Sequence, residues 1–173
     1  MNGFDLPIFN FFHSLSGKFW LIDWIWIFLA EYVPYFLVLA AIWLIFRERG
    51  RKRIYSFALV SLPVILSRGI IVEAIRFFYK RERPFSALDF SPLVSANAFD
   101  SFPSGHAAFF FALAMSVYFL ERKAGKWFFA FAILMAFARI CAGIHWPLDV
   151  LFGAVIGLLA AFLARKTLPK PEN

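Results

Sequence analysis

Runs of apolar residues about as long as a bilayer is thick recur along this chain and leave it few ways to fold. Residues 19–46, 54–78, 103–120, 127–144 and 147–164 are dominated by Phe, Leu, Ile, Val, Ala and Trp. A helix needs about 20 such residues to cross the hydrocarbon layer. Hydrophobic residues make up 62% of the 173, and 25 are Phe, well beyond the roughly half-apolar composition of soluble domains. The expected fold is an all-α integral membrane protein, a bundle of five transmembrane helices forming one membrane-embedded domain over residues 1–173. Residues 4–15 (FDLPIFNFFHSL) are too short to span and mix Phe, Ile and Leu with Asp5, Asn10 and His13. They predict an N-terminal interfacial helix, six helices in all. Residues 79–102 form the one long connecting loop.

Several classes are set aside by simple features. Met1 to Ser16 lacks a basic start and an unbroken apolar stretch, so no cleaved signal peptide is expected. With Cys141 as the single cysteine, an intrachain disulfide and a thiolate metal site are both excluded. The net charge of +7 invites a nucleic-acid reading. Its basic residues, however, sit in short loops between spans, where membrane topology accounts for them, so no nucleic-acid partner is expected.

Those loops also orient the chain. Lys and Arg number five in 47–53, three in 121–126, and three in the tail (Arg165, Lys166, Lys170). With five spans these segments share one side, which the positive-inside rule assigns to the cytoplasm. The expected protein is a multi-pass protein of the plasma or inner membrane with a cytoplasmic C-terminus. The N-terminus, the 79–102 loop and the 145–149 turn then lie outside. Arg76, Lys80, Arg81, Arg83 and Arg139 gather near that outer face, where topology does not require them. Inside the spans, Glu31 and Arg68 are costly unless paired or hydrated. Each lies roughly 21–23 Å from the cytoplasmic end of its span, so a Glu31–Arg68 pair is geometrically permitted.

Three polar islands carry the chemistry. Pro103-Ser104-Gly105-His106 opens an apolar run; proline favours the first helical position, and the next residues then offer free backbone N–H groups to an anion. His106 adds a proton donor or acceptor near neutral pH. In the run Arg139 to Asp149, Pro147 restarts a helix, with His145 just before it and Asp149 in its first turn. A carboxylate four residues on can accept a hydrogen bond from one imidazole nitrogen and leave the other free to attack. Arg139 is a permanent planar donor suited to phosphate oxygens. Arg76 to Pro84 adds four cations, Arg76, Lys80, Arg81 and Arg83. Each island alone also reads as a helix cap, an interfacial turn or a basic juxtamembrane segment. All three on one face suit cleavage of a phosphate ester or anhydride, and no metal site or other cofactor is expected.

The patterns R-x6-R-P (76–84), P-S-G-H (103–106) and R-x5-H-x3-D (139–149) resemble, in order and spacing, the three-part signature of the type 2 phosphatidic acid phosphatase superfamily. The resemblance covers roughly residues 20–165. It implies His145 as a nucleophile forming a phosphohistidine, Asp149 orienting it, and His106 as acid for the leaving group. Arg76, Arg83, Ser104, Gly105 and Arg139 would hold the phosphate, without a metal. The family's first motif usually begins with Lys where this chain has Arg76, so Lys80 or Arg81 could share that role. Its third is usually preceded by Ser where Ala138 stands here. The short length, Ala30-Glu31-Tyr32 and Asp100-Ser101-Phe102 are similar to the bacterial undecaprenyl-diphosphatase group, which often has Asp at the position of Gly105. That implies hydrolysis of undecaprenyl diphosphate in recycling of the cell-wall carrier lipid, with phosphatidylglycerophosphate or phosphatidic acid as alternative substrates. A lipid-binding or lipid-transporting protein without turnover is the non-enzymatic alternative.

Overall fold

The computed structural model describes residues 3–169, and regular structure among them is helical throughout. Lys170, counted above in the basic tail, lies outside the described residues. The helices are α1 (Asp5–His13), α2 (Trp20–Arg47), α3 (Gly50–Phe78), α4 (Pro84–Ala87), α5 (Gly105–Leu120), α6 (Arg122–Cys141) and α7 (Pro147–Thr167). The extra element is α4, a single turn inside the long loop. Helices α2, α3, α6 and α7, with 28, 29, 20 and 21 residues, are long and apolar enough to cross a membrane. The remaining apolar helix, α5, has 16 residues, or about 24 Å at 1.5 Å per residue. It is the axis of the bundle, packed against α7, α6 and α3.

The closest of these packings sets the site. Gly153 and Gly157 lie one turn apart on α7, and a Cβ at either would sit 2.4 Å from the Ser104 carbonyl oxygen or 2.3 Å from that of Ala108. This small-xxx-small spacing lets two backbones touch, the usual device where lipid supplies no hydrophobic drive between helices. The first turns of α5 and α7 are thereby clamped together.

Two spans are widened inside. In α2 a π-helical segment, Phe28–Tyr32, precedes Pro34. Proline has no N–H to return to the carbonyl four residues back, and the Ala30 carbonyl instead accepts from Arg139 Nη1 at 3.4 Å. In α3, Pro63 precedes a second π segment, Ile65–Ile71. That wider turn, bonded i to i+5, brings Arg68 onto the same face as Glu73, and the two form an ion pair. The Glu31–Arg68 pair permitted by the sequence is not the one formed.

The basic segments collect at one end of the bundle. Arg47 pairs with Glu121 at 2.8 Å, and Arg165 donates to the Tyr55 hydroxyl. At the opposite end lie α1, the 79–104 connection and the α6–α7 turn. Instead of standing free of the bundle, α1 docks on it: Phe9 is fully buried, 5.2 Å from the Trp146 ring, while Phe4, Ile8 and Phe11 stay exposed. His13 Nδ1 lies 3.0 Å from the Cys141 carbonyl oxygen, which also accepts from Ser16 Oγ.

Candidate active site

The α6–α7 turn is built around Gly143. Its φ of +79° is one that other residues rarely adopt, and a Cβ there would strike the Phe90 ring at 2.5 Å. The chain reverses at this point and carries His145 into the interior, where it is 1% exposed. Pro147 takes the first position of α7. The Trp146 N–H donates to Asp149 Oδ2 at 2.9 Å, so the aspartate caps its own helix.

One flank of His145 is lined by a carboxylate whose own partners are all in place. Asp149, with no exposed surface, accepts from Arg81 Nη1 at 2.5 Å, from the Ser101 hydroxyl and from the Trp146 N–H. The other arm of Arg81 donates to Asp5 of α1, whose second oxygen takes the Leu148 N–H at 2.9 Å. The Arg81 guanidinium also lies 5.5 Å from the centre of the Trp146 ring, within cation–π range. His145 Nδ1 stands 3.6 Å from Asp149 Oδ2. The expected His–Asp pairing is thus a close approach and not a formed hydrogen bond, because that oxygen already serves two other donors.

The other flank is cationic. Arg83 Nη1 donates to the Ile144 carbonyl at 2.9 Å and lies 3.4 Å from His145 Nε2. Arginine can only donate, so Nε2 presents a lone pair and the ring proton belongs on Nδ1, facing Asp149. Arg76 Nη2 donates to the Pro103 carbonyl at 3.0 Å. The Nε atoms of Arg76, Arg83 and Arg139, together with His145 Nδ1, are buried without a hydrogen-bond partner among the described residues. Burial, then the charges of Arg139, Arg83 and Arg76, push the His145 imidazole well below its usual range. It is therefore neutral at neutral pH. Burial and the neighbouring Arg76 bring Arg83 down to about 10, which leaves it charged.

The start of α5 forms the adjoining wall. The helix begins at Gly105 rather than at Pro103. Serine is the better cap, and Ser104 fills that position, its hydroxyl accepting from Ala107 N–H at 3.4 Å and its own N–H donating to the Asp149 carbonyl at 2.9 Å. The N–H groups of Gly105 and His106 belong to this first turn, where a helix leaves donors free. The His106 side chain is exposed into a cavity of about 600 Å³ that Gly105 and Arg139 also line.

Of the residues singled out in the sequence, His145, Asp149, Arg76, Arg83, Arg139, Ser104, Gly105 and His106 meet at this end of the bundle. Lys80 is turned outward, 59% exposed and paired with Asp100 at 2.6 Å. That contact holds the Asp100 carboxyl below its ordinary value. Sequence reasoning missed the Asp5–Arg81–Asp149 link, which joins residues far apart in the chain. Among the described residues no group of three His, Cys, Asp or Glu side chains converges as metal ligands would.

Comparison with known proteins supplies relatives of similar length and fold. The chain is 33% identical over 162 residues to undecaprenyl-diphosphatase BcrC of Bacillus subtilis, covering 92% of this chain and 81% of that one. It is 30% identical over 169 residues to the bacitracin transport permease protein BcrC of Bacillus licheniformis, covering 96% and 81%. The crystal structure of Aquifex aeolicus LpxE superposes with a TM-score of 0.77 at 28% identity, over 94% of each chain. The model of the PAP2 superfamily matches residues 57–172, a stretch that holds His106, His145, the capped α5 and the arginines Arg76, Arg83 and Arg139, and the chain belongs to that superfamily.

Proposed function

We propose that this protein is a membrane phosphatase of lipid phosphates and diphosphates, with undecaprenyl diphosphate as its substrate. One observation carries the reading: a buried, neutral histidine lies among the charges of Arg76, Arg83 and Arg139, whose buried Nε atoms have no hydrogen-bond partner among the described residues. A buried polar atom left unpaired costs about 1–3 kcal/mol, and a phosphoryl group supplies the missing acceptors. The name of the B. subtilis relative favours the diphosphate over phosphatidylglycerophosphate or phosphatidic acid.

The residues divide the work as follows. Arg76, Arg83 and Arg139, with the free N–H groups of Gly105 and His106, neutralise the phosphoryl oxygens and stabilise charge in the transition state. His145 Nε2 attacks phosphorus in line with the leaving oxygen, and Asp149 stabilises the cation that develops on the ring. His106 protonates the leaving oxygen. Water then attacks the phosphohistidine, gives up a proton to His106 and releases phosphate, which restores both histidines. No step calls on a metal.

The basic end of the bundle is assigned to the cytoplasm by its lysines and arginines, so the site opens on the outer face. The B. licheniformis relative is named for transport, yet a transporter has no need of a buried neutral histidine beside an arginine cluster. Purified protein in excess EDTA should release phosphate from undecaprenyl diphosphate, and the H145A protein should not. Undiminished release by H145A would end this mechanism.

A further inference from the structure

Arg68 belongs to none of the three motifs, yet it stands beside the catalytic wall. A Cβ built on Gly105 would lie 2.5 Å from Arg68 Nε and 3.1 Å from its guanidinium carbon, so the group covers the first residue of α5. It lines the same cavity of about 600 Å³ as His106 and Arg139, together with Glu31 and Tyr35. Both ionisable residues of that cavity wall that lie deep in a span sit in π segments, Glu31 in Phe28–Tyr32 and Arg68 in Ile65–Ile71. Such bulges are rare and concentrate at functional sites. An ionised side chain at membrane depth faces a cavity or a partner, and Arg68 has both, being paired with Glu73.

The position of His106 says what the cavity receives. His145 does not line it, whereas His106 does. In the reaction proposed above, His106 meets the leaving oxygen, so the leaving group extends into this cavity. For a lipid monophosphate that group is an uncharged alcohol. For a lipid diphosphate it is a lipid monophosphate, an anion that needs a cation of its own.

We propose that Arg68 binds the second phosphate of a lipid diphosphate, the one that departs with the lipid, and so separates diphosphate from monophosphate substrates. The inference rests on the lipid-phosphatase reading. His145 Nε2 bonds to the terminal phosphorus as the bond from that phosphorus to the bridging oxygen breaks. The electron pair stays on the bridging oxygen, which takes the proton of His106, and Arg68 neutralises the remaining charge of the leaving lipid phosphate.

The test compares wild type and R68Q on undecaprenyl diphosphate and on phosphatidic acid in the same mixed micelles. R68Q should lose about 30-fold or more in kcat/KM on the diphosphate and less than about 3-fold on the monophosphate. Retained monophosphate turnover doubles as the proof of folding. R68K should recover part of the loss. Equal losses on both lipids, or none on the diphosphate, overturn the proposal and leave the phosphatase reading intact. A wild-type protein that cleaves phosphatidic acid but not the diphosphate overturns the substrate assignment and this proposal together. Should R68Q fail to fold, inhibition decides. Inorganic pyrophosphate should inhibit wild type more strongly than phosphate does, and R68K should narrow that gap; an unchanged gap counts against Arg68.

Discussion

The two flanks of His145 are built on opposite rules. On the Asp149 flank every charge is answered: Asp149, Arg81 and Asp5 form a chain of ion pairs closed by backbone N–H groups. On the arginine flank the Nε atoms of Arg76, Arg83 and Arg139 are buried without hydrogen-bond partners among the described residues. A satisfied network stabilises the fold and fixes geometry. An unsatisfied one costs stability and is retained where a ligand completes it. On the function proposed above, the first flank is scaffold and the second receives the phosphate, although both are charged.

The largest effect separates chemistry from binding. H145A should lose about 10⁴-fold or more in kcat while still binding substrate, because the arginines remain. Loss of binding in equal measure, seen by equilibrium dialysis of labelled lipid, would place His145 in the scaffold instead. On the unsatisfied flank, R139M keeps the apolar stem and removes the charge. It should lower kcat/KM by about 10²–10³-fold with only a small fall in Tm, since the fold loses the one long hydrogen bond to the Ala30 carbonyl and sheds an incompletely paired buried charge. A marked fall in Tm would contradict the comparison.

The satisfied flank should behave the other way. D5N removes one anchor of Arg81 and should destabilise by about 1–3 kcal/mol, with kcat down by about tenfold and KM unchanged, because Asp5 acts on Asp149 through Arg81. A thermal melt and a kcat–KM pair decide it.

The pH profile sharpens the contrast further. Burial and three arginines hold the His145 ring well below its ordinary range, so it stays unprotonated as pH falls from about 7.5 to 6. Wild-type kcat/KM should show no acid limb from His145 there. Removal of a neighbouring cation relieves the repulsion on the imidazolium and raises that pKa. The acid limb of R139M should therefore move to higher pH; a limb that stays put would show that the arginines do not set it. Smallest of all, R47Q breaks a half-exposed pair with Glu121 at the far end and should leave activity unchanged and stability within about 0.5 kcal/mol.

What the sequence carried was local. Apolar runs, the P-S-G-H start and the R-x5-H-x3-D spacing each specify a structure within one or two turns, and helices formed where those patterns lie. Contacts made by residues distant in the chain were not legible. Nothing in the basic run distinguishes Arg81, turned inward to two carboxylates, from Lys80, turned outward to Asp100. Asp5 looked like one polar residue of an interfacial helix, whereas burial of Phe9 against Trp146 carries it to Leu148. Arg68 was matched to Glu31 by depth alone, and a π segment, which leaves no simple sequence signal, gave it Glu73. Likewise nothing in the sequence ties Pro34 to Arg139, though the Ala30 carbonyl that Pro34 leaves free accepts from Arg139.

The length of α5 has a consequence for access. Its 16 residues rise about 24 Å, against a hydrocarbon layer of about 30 Å. With its far end level with the neighbouring helices, its first turn stops about 6 Å short of the opposite surface. The proposed phosphate site then forms the floor of a shallow well sunk below the headgroup plane. A water-soluble ester has to leave bulk water to reach that floor, whereas a lipid already anchored beside the wall needs only to settle by one helical turn.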